Sequence, residues 1–161
     1  MPYHLSREDA LATIAKEPLN ASCLVCGILQ HSSTRVLEKK PFTTAILSAY
    51  PRTWGQVMVV TNRHIESISA TKEEEYVELM SQIKKWTTCI ETALHPLRCY
   101  VVSLGAINNQ PHTCPHLHFN ILPVYQATDT PEYLLTWKHG LVGANENEWQ
   151  ELVGLLTNTT C

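Results

Sequence analysis

The feature that most constrains the fold is a long amphipathic pattern in the middle of the chain. Its apolar residues recur at helical spacing over about four turns: Tyr76, Leu79, Met80, Ile83, Trp86 and Ile90. Thr71 precedes the pattern as a candidate N-cap, with Glu74 at the capping-box position, and the helix is expected to end by His95. A helix with one apolar face needs a second layer to cover it, so the remaining segments must supply that layer.

Short strand-like segments lie on both sides of this helix. Two strands are predicted between Arg35 and Tyr50, separated at Lys39-Lys40-Pro41, and a buried strand is predicted at 57–60. Further strands are predicted at 100–104 and 116–122. The pattern indicates an α+β fold in which the long helix packs on an antiparallel sheet.

The ends of the chain add smaller elements. A short helix is predicted after Ser6, a tight turn at 23–27, and a last helix around 147–156. No repeat or Gly/Ser linker divides the 161 residues, so a single domain over residues 1–161 is expected.

Charge and hydropathy exclude several classes of function. The net charge of −3 excludes a general basic face for nucleic acid. No apolar run approaches the ~20 residues needed to span a bilayer, so no membrane partner is expected. Residues 1–9 are polar and carry both signs of charge, unlike a secretory signal. A cytoplasmic protein is therefore predicted.

The stretch from Gln110 to Asn120 concentrates residues that carry chemistry. If it is extended, Cys114, His116 and His118 point to one face because side chains alternate along a strand. Two imidazoles and a thiol in a row are costly to bury unless they are used.

These residues resemble the motif of the histidine-triad (HIT) superfamily, His-φ-His-φ-His-φ-φ with a Gln four residues before the first His. Gln110 and Cys114-Pro115-His116-Leu117-His118 match it, with Cys114 at the first His position. A second block, Gly55 to His64, resembles the family's Gly-His-x-Leu-Val-Ile-Pro-Lys-x-His, with Gln56 at its first His. The resemblance covers about residues 20–125 and implies a HIT-like fold with a bent antiparallel sheet, the long helix packed on it and a C-terminal helix.

The resemblance implies a role for each matching position. His116 takes the place of the middle His, which attacks the α-phosphorus of a nucleotide and forms a nucleotidyl-histidine intermediate. His118 then contacts phosphoryl oxygens or protonates the leaving group. The substrate-binding positions are Gln110 and Asn109 in the turn, Ser103 at a family Asn, and Ser48 at the acid that binds ribose hydroxyls.

A structural zinc is implied by the branch of the superfamily that carries a Cys-x-x-Cys pair, and by the related galactose-1-phosphate uridylyltransferases. Its ligands there are this pair, the His that ends the second block and the first His of the triad. The matching residues are Cys23, Cys26, His64 and Cys114. Cysteine is as good a zinc ligand as histidine. His112 is an alternative fourth ligand, and a redox pair is an alternative use of the first two cysteines.

The resulting functional prediction is a nucleotide phosphohydrolase or nucleotidyl transferase that contains structural zinc and forms a homodimer. Its partner is a nucleotide or nucleotide-derived small molecule. The alternatives are a zinc-stabilised nucleotide-binding module without turnover and a metal or redox regulator. A binding module would not need a neutral, accessible His116, and a regulator would be indifferent to His116→Ala.

Overall fold

A computed structural model describes residues 1–15, 23–31, 33–105, 107 and 114–161. The helices are α1 (Arg7–Ile14), α2 (Leu24–Gln30), α3 (Glu73–Leu94), α4 (Pro131–Leu134) and α5 (Glu146–Asn158), with a 3-10 turn at Ile68–Ala70. The strands are β1 (Tyr3–Leu5), β2 (Val36–Lys39), β3 (Thr43–Leu47), β4 (Val57–Thr61), β5 (Arg98–Val102), β6 (His118–Val124) and β7 (Leu141–Gly143).

The main sheet has five antiparallel strands in the order β2-β3-β4-β6-β5. The central pair β4 and β6 aligns Met58 with Asn120 and Val60 with His118. Strands β1 and β7 form a separate two-stranded ribbon. The α+β prediction with an antiparallel sheet is thus confirmed.

Helix α3 covers one face of this sheet with most of the predicted apolar stripe, whereas Tyr76 at its start is exposed. Leu79, Trp86 and Ile90 are buried against Val59 and Ile121 of the central strands. Burial of this kind supplies roughly 2 kcal/mol for each large side chain. Helix α5 adds Trp149 and two leucines to the same core, which confirms the predicted C-terminal helix.

Local details of the helices differ from the sequence prediction. The N-cap of α3 is Lys72 rather than Thr71, and its backbone N–H donates to the Glu75 carboxylate at 2.8 Å, so Glu75 takes the capping role predicted for Glu74. The predicted turn at 23–27 is instead the first part of α2, with Cys23 as its N-cap. At its other end α3 stops at His95, whose φ of 48° is left-handed.

Two further features concern the whole chain. Cys89 in α3 is disulfide-bonded to Cys161 at the C-terminus, beyond α5. Among the described residues, none of the helices combines the length and the apolar character that a membrane crossing requires.

Candidate active site and metal centre

Four side chains from three segments converge beside the central strands. Cys23 and Cys26 lie at the start of α2, where residues three apart share one side of a helix. His64 follows β4, and His116 lies in the bend that precedes β6. Their ligand atoms all lie within 4.8 Å of one another.

The distances within this group suit a tetrahedral metal ion. The Nδ1 atom of His116 is 3.4 Å from Cys23 Sγ and 3.6 Å from Cys26 Sγ. The Nδ1 atom of His64 is 3.4 Å from Cys26 Sγ. Ligands at about 2.0–2.3 Å from a tetrahedral zinc ion stand roughly 3.5 Å apart. Two thiols and two imidazole nitrogens are also a donor set that zinc prefers, so the residues fit this ion.

The backbone of β4 fixes the orientation of His116. Its Nε2 atom lies 2.8 Å from the Thr61 carbonyl oxygen, which can only accept a hydrogen bond. The neutral ring therefore carries its proton on Nε2 and presents the Nδ1 lone pair to the sulfur atoms. A metal-binding histidine is held in its tautomer by such a partner in many proteins.

The structure brings together three of the four predicted metal ligands and adds His116 in place of Cys114. Cys114 is buried and packs with Val25 and Val60 beside Cys23. Burial raises the pKa of its thiol to about 11. With two thiolates instead of three, a bound Zn²⁺ gives a neutral centre rather than the net charge of −1 expected for three. The alternative ligand His112 lies outside the described residues.

The prediction that Cys114, His116 and His118 alternate along one strand is wrong. Strand β6 begins only at His118. Before it the chain bends, and the His116 N–H donates to the Cys114 carbonyl at 2.9 Å. The bend directs the His116 ring to the cysteines, whereas His118 faces a cavity that His116 does not line.

His118 is buried and lines a cavity of about 600 Å³, a volume typical of small-molecule sites. Its Nδ1 atom lies 2.7 Å from the His116 carbonyl oxygen. Burial is the largest influence on the pKa of His118 and lowers it. The hydrogen bond to His116 raises it, the charge of Arg52 lowers it, and a hydrogen bond to the Leu104 backbone raises it.

Two buried amide side chains lie next to His118 in this cavity. The Nε2 group of Gln56 donates to Asn120 Oδ1 at 2.8 Å, and Gln56 Oε1 accepts from the Arg52 backbone N–H at 2.8 Å. Asn120 is two residues after His118 and therefore lies on the same face of β6. Both amides line the cavity.

The predicted substrate-binding residues have different positions. Ser48 is buried and lines the cavity. Ser103 does not line it, but its hydroxyl donates to the His118 carbonyl at 2.9 Å. Gln110 and Asn109 lie outside the described residues, so their roles stay predictions.

Sequence reasoning assigned no role to Asn120 or Arg52, although a signal for Asn120 was present. In the triad pattern, two apolar residues follow the third His position. If His116 is the first position, Asn120 is the third, and the apolar residues Ile121 and Leu122 follow it. No comparable signal marks Arg52, which lies in the loop between β3 and β4.

Comparison with known proteins agrees with this description. The HIT domain family model matches residues 30–127, more than half of the chain. An uncharacterised HIT-like protein of Mycoplasma genitalium, MG132, is 29% identical over 109 residues, which are 66% of this chain and 76% of that protein.

Three solved structures share the fold. A hypothetical histidine triad nucleotide-binding protein of Sulfolobus tokodaii has a TM-score of 0.66 and 21% identity over 84% of this chain and 89% of its own. A zinc-bound histidine triad family protein of Mycobacterium smegmatis has a TM-score of 0.60 and 17% identity over 84% and 91%. A uridylyltransferase has a TM-score of 0.61 and 18% identity over 93% and 48%. Motif, fold and family model together establish that the chain belongs to the histidine-triad (HIT) family.

Proposed function

We propose that this protein transfers or hydrolyses nucleotidyl groups through a covalent intermediate on His118. The proposal keeps the predicted reaction at the α-phosphorus of a nucleotide but moves the nucleophile from His116 to its neighbour. The observation that carries the proposal is that the two imidazoles have different surroundings. His118 lines the cavity, whereas His116 is directed to the cysteines.

His116 is poorly suited to attack a substrate. One ring nitrogen lies 2.8 Å from the Thr61 carbonyl, and the other lies 3.4 Å from a cysteine sulfur. Its side chain is only 1% exposed. A nucleophile must reach the reacting phosphorus with a free lone pair, and neither nitrogen of His116 offers one to the cavity.

His118 has the tautomer that attack requires. Its Nδ1 atom donates to the His116 carbonyl at 2.7 Å, so the neutral ring carries its lone pair on Nε2. The same hydrogen bond holds the ring in place, which reduces the orientational cost of reaching the transition state.

The first step is the attack of His118 Nε2 on the α-phosphorus. An N–P bond forms, the bond to the leaving group breaks, and the electron pair of that bond stays with the leaving group. Water in a hydrolase, or a phosphate-bearing acceptor in a transferase, then attacks the same phosphorus and frees the imidazole.

The metal has a structural role in this proposal. Zinc held by Cys23, Cys26, His64 and His116 would tie α2 and the turn after β4 to the bend before β6. Metal bonds of this kind contribute directly to folding. The His116 carbonyl accepts a hydrogen bond from the His118 imidazole. By holding His116 in place, the metal centre would therefore also hold the His118 imidazole in position without contacting the substrate.

A homodimer and a cytoplasmic location are further predictions that accompany this function. Support for a dimer comes from strand β5, which is an edge of the sheet and exposes Val101. An apolar edge strand is a surface that another chain can pair with. Light scattering of the wild type and of Val101→Lys tests this: the wild type is expected to be a dimer and the variant a monomer.

The experiment that tests the reaction is intact-protein mass spectrometry under a non-acidic quench. The protein is incubated with nucleoside phosphoramidates, dinucleoside polyphosphates and nucleotide sugars. A nucleotide-sized adduct is expected on the wild type and absent from His118→Ala. Bound ligand without adduct or turnover across the panel would instead support the nucleotide-binding module. Loss of zinc on oxidation, with neither adduct nor turnover in the wild type, would support the regulator.

A further inference from the structure

Arg52 brings a positive charge into the cavity beside His118. Its Nε–H group is buried and makes no hydrogen bond within the described part of the chain. None of the ion pairs formed among those residues includes its guanidinium. Burial lowers the pKa of Arg52, as expected for a cation that has lost contact with water.

No carboxylate offsets this charge in the cavities that Arg52 lines. One is the cavity of about 600 Å³ that contains His118, and the other has a volume of about 340 Å³. Among the described residues that line either of them, there is no Asp or Glu. The larger cavity is also lined by a second arginine, Arg35, and by the neutral side chains of Ser48, Gln56 and Asn120. This surface suits an anion.

Hydrogen bonds hold the Arg52 loop in place. The Arg52 backbone N–H donates to Gln56 Oε1 at 2.8 Å, and Gln56 in turn donates to Asn120 on β6. The hydroxyl of Thr53 donates to the Pro123 carbonyl, also on β6, at 3.0 Å. The backbone of the loop that carries Arg52 is therefore anchored to the strand that carries His118.

The residue that follows His118 on the same face of β6 cannot supply a proton. A histidine at position 120 could act as a general acid, but Asn120 has a carboxamide, which does not donate a proton to a leaving group. Among the described residues lining the larger cavity, there is no second imidazole and no carboxyl group. These lining residues therefore offer no general acid to a leaving group that must be protonated, such as an amine. A leaving group that departs as an anion needs positive charge instead.

We infer that Arg52 binds the departing phosphate, and that the substrates are phosphoric anhydrides in which a second phosphate is bonded to the nucleotidyl phosphorus. This inference rests on the proposed function of His118. Arginine suits the role because its planar guanidinium can donate two parallel hydrogen bonds to phosphate oxygens.

The step balances without a proton donor. The Nε2 lone pair of His118 forms the N–P bond, and the bond between the α-phosphorus and the bridging oxygen breaks. Its electron pair stays on that oxygen, which leaves as part of a phosphate or phosphate-monoester anion. The added negative charge lies against Arg52, and the imidazole keeps its Nδ1 proton on the His116 carbonyl.

The test compares two substrates that share one nucleoside. The first is the nucleoside diphosphate, whose leaving group is phosphate. The second is the p-nitrophenyl ester of the monophosphate, whose leaving group needs neither a proton nor a phosphate site. The rate of adduct formation is measured for the wild type, Arg52→Gln and Arg52→Lys. Arg98→Gln, an arginine outside the cavity that contacts the ring of Tyr100, is the matched control.

Arg52→Gln is expected to slow the reaction of the diphosphate on the order of 10- to 100-fold, the effect of losing a charge-assisted hydrogen bond. It should change the reaction of the nitrophenyl ester by less than about threefold. Arg52→Lys should recover part of the diphosphate rate, and Arg98→Gln should match the wild type. Equal effects of Arg52→Gln on both substrates, or no effect on either, would overturn the inference while the function of His118 stands.

If the wild type forms no adduct with either substrate, the proposed function of His118 fails, and a binding measurement still decides the role of Arg52. Calorimetry with inorganic pyrophosphate should show affinity in the wild type and at least tenfold weaker binding in Arg52→Gln. The same affinity in both proteins would show that Arg52 is not an anion ligand. Thermal unfolding of each variant verifies that it is folded.

Discussion

The Nε2 atom of His116 lies 2.8 Å from the carbonyl oxygen of Thr61 at the end of β4. Because this oxygen can only accept, it selects the tautomer whose Nδ1 lone pair faces the two cysteines. The same residue, through its own carbonyl, accepts from His118 at 2.7 Å. One histidine thus connects the candidate metal centre to the candidate nucleophile by its backbone and side chain.

The first prediction concerns the identity of the fourth metal ligand. Purified protein should contain about one zinc ion per chain, measured by elemental mass spectrometry. His116→Ala and Cys26→Ser should each lose most of it, since three ligands do not close a tetrahedral site. Cys114→Ser should keep its zinc, because Cys114 lies beside the group without belonging to it. Zinc loss in Cys114→Ser with retention in His116→Ala would restore the ligand set expected from the sequence.

The long-range architecture was predictable, and the bend that builds the metal centre was not. The stripe around Leu79 and Trp86 has the period of a helix and predicts α3 to within two residues at each end. The bend at 114–116 depends on the His116 N–H bonding the Cys114 carbonyl and on convergence with Cys23. The alternation of residue types is the same whether residues 114–116 bend away or extend strand β6 by two residues, so the sequence alone does not distinguish the two.

The second prediction concerns the buried pair of Gln56 and Asn120. Each occupies a position where the family pattern has histidine, if His116 is the first member of the triad, and the two contact each other at 2.8 Å. Asn120→Ala should lower the free energy of unfolding by about 1–3 kcal/mol, because it leaves Gln56 Nε2 buried without a partner.

A double-mutant cycle isolates the contribution of this contact. Gln56→Ala and Asn120→Ala should be coupled by about 1 kcal/mol in urea unfolding. As a control, Asn120→Ala combined with Asn145→Ala, a distant helix cap, should be additive within about 0.5 kcal/mol. Additivity for Gln56 and Asn120 as well would mean that their contact contributes nothing to stability.

The third prediction concerns the ion pair that joins the His64 turn to α3. Arg63 donates to both carboxylate oxygens of Glu75, each at 2.8 Å. The hydrogen bond from Arg63, followed by the one from the Lys72 backbone, lowers the pKa of Glu75 to about 2. Because this pKa lies below the ordinary value of 4.5, the stabilisation is present above pH 4.5 and is lost as the pH falls towards 2.

Glu75→Gln should therefore lower the melting temperature near neutral pH by roughly 2–4 °C, the effect of a partly exposed ion pair. The difference between wild type and variant should shrink when melting is measured below pH 4.5 and approach zero near pH 2. Glu74→Gln, one position earlier on α3, is the matched control. A difference between wild type and Glu75→Gln that is constant from pH 7 to pH 2 would contradict the assignment.

The candidate site was predictable in its residue types and only partly in its roles. Cys23, Cys26 and His64 were predicted from the resemblance to the zinc-containing branch of the HIT superfamily, whose Cys-x-x-Cys pair and second block they match. The motif prediction places Cys114 at the first triad position, although the apolar residues Ile121 and Leu122 after Asn120 favour His116 there, which would make His118 the middle histidine. Arg52 is recognised only in three dimensions, as a cation in a cavity with no Asp or Glu among its described lining residues.

The most direct test of the account is to locate the nucleotide on the chain. The intermediate is trapped with a nucleoside diphosphate, digested at alkaline pH and sequenced by tandem mass spectrometry across the peptide that contains both histidines. We expect the nucleotide to be bonded to His118 and the His118→Ala variant to form no adduct. We expect Cys114→Ser to form the adduct as the wild type does. A nucleotide found on His116 would contradict the account, since that imidazole would then be the nucleophile and not a metal ligand.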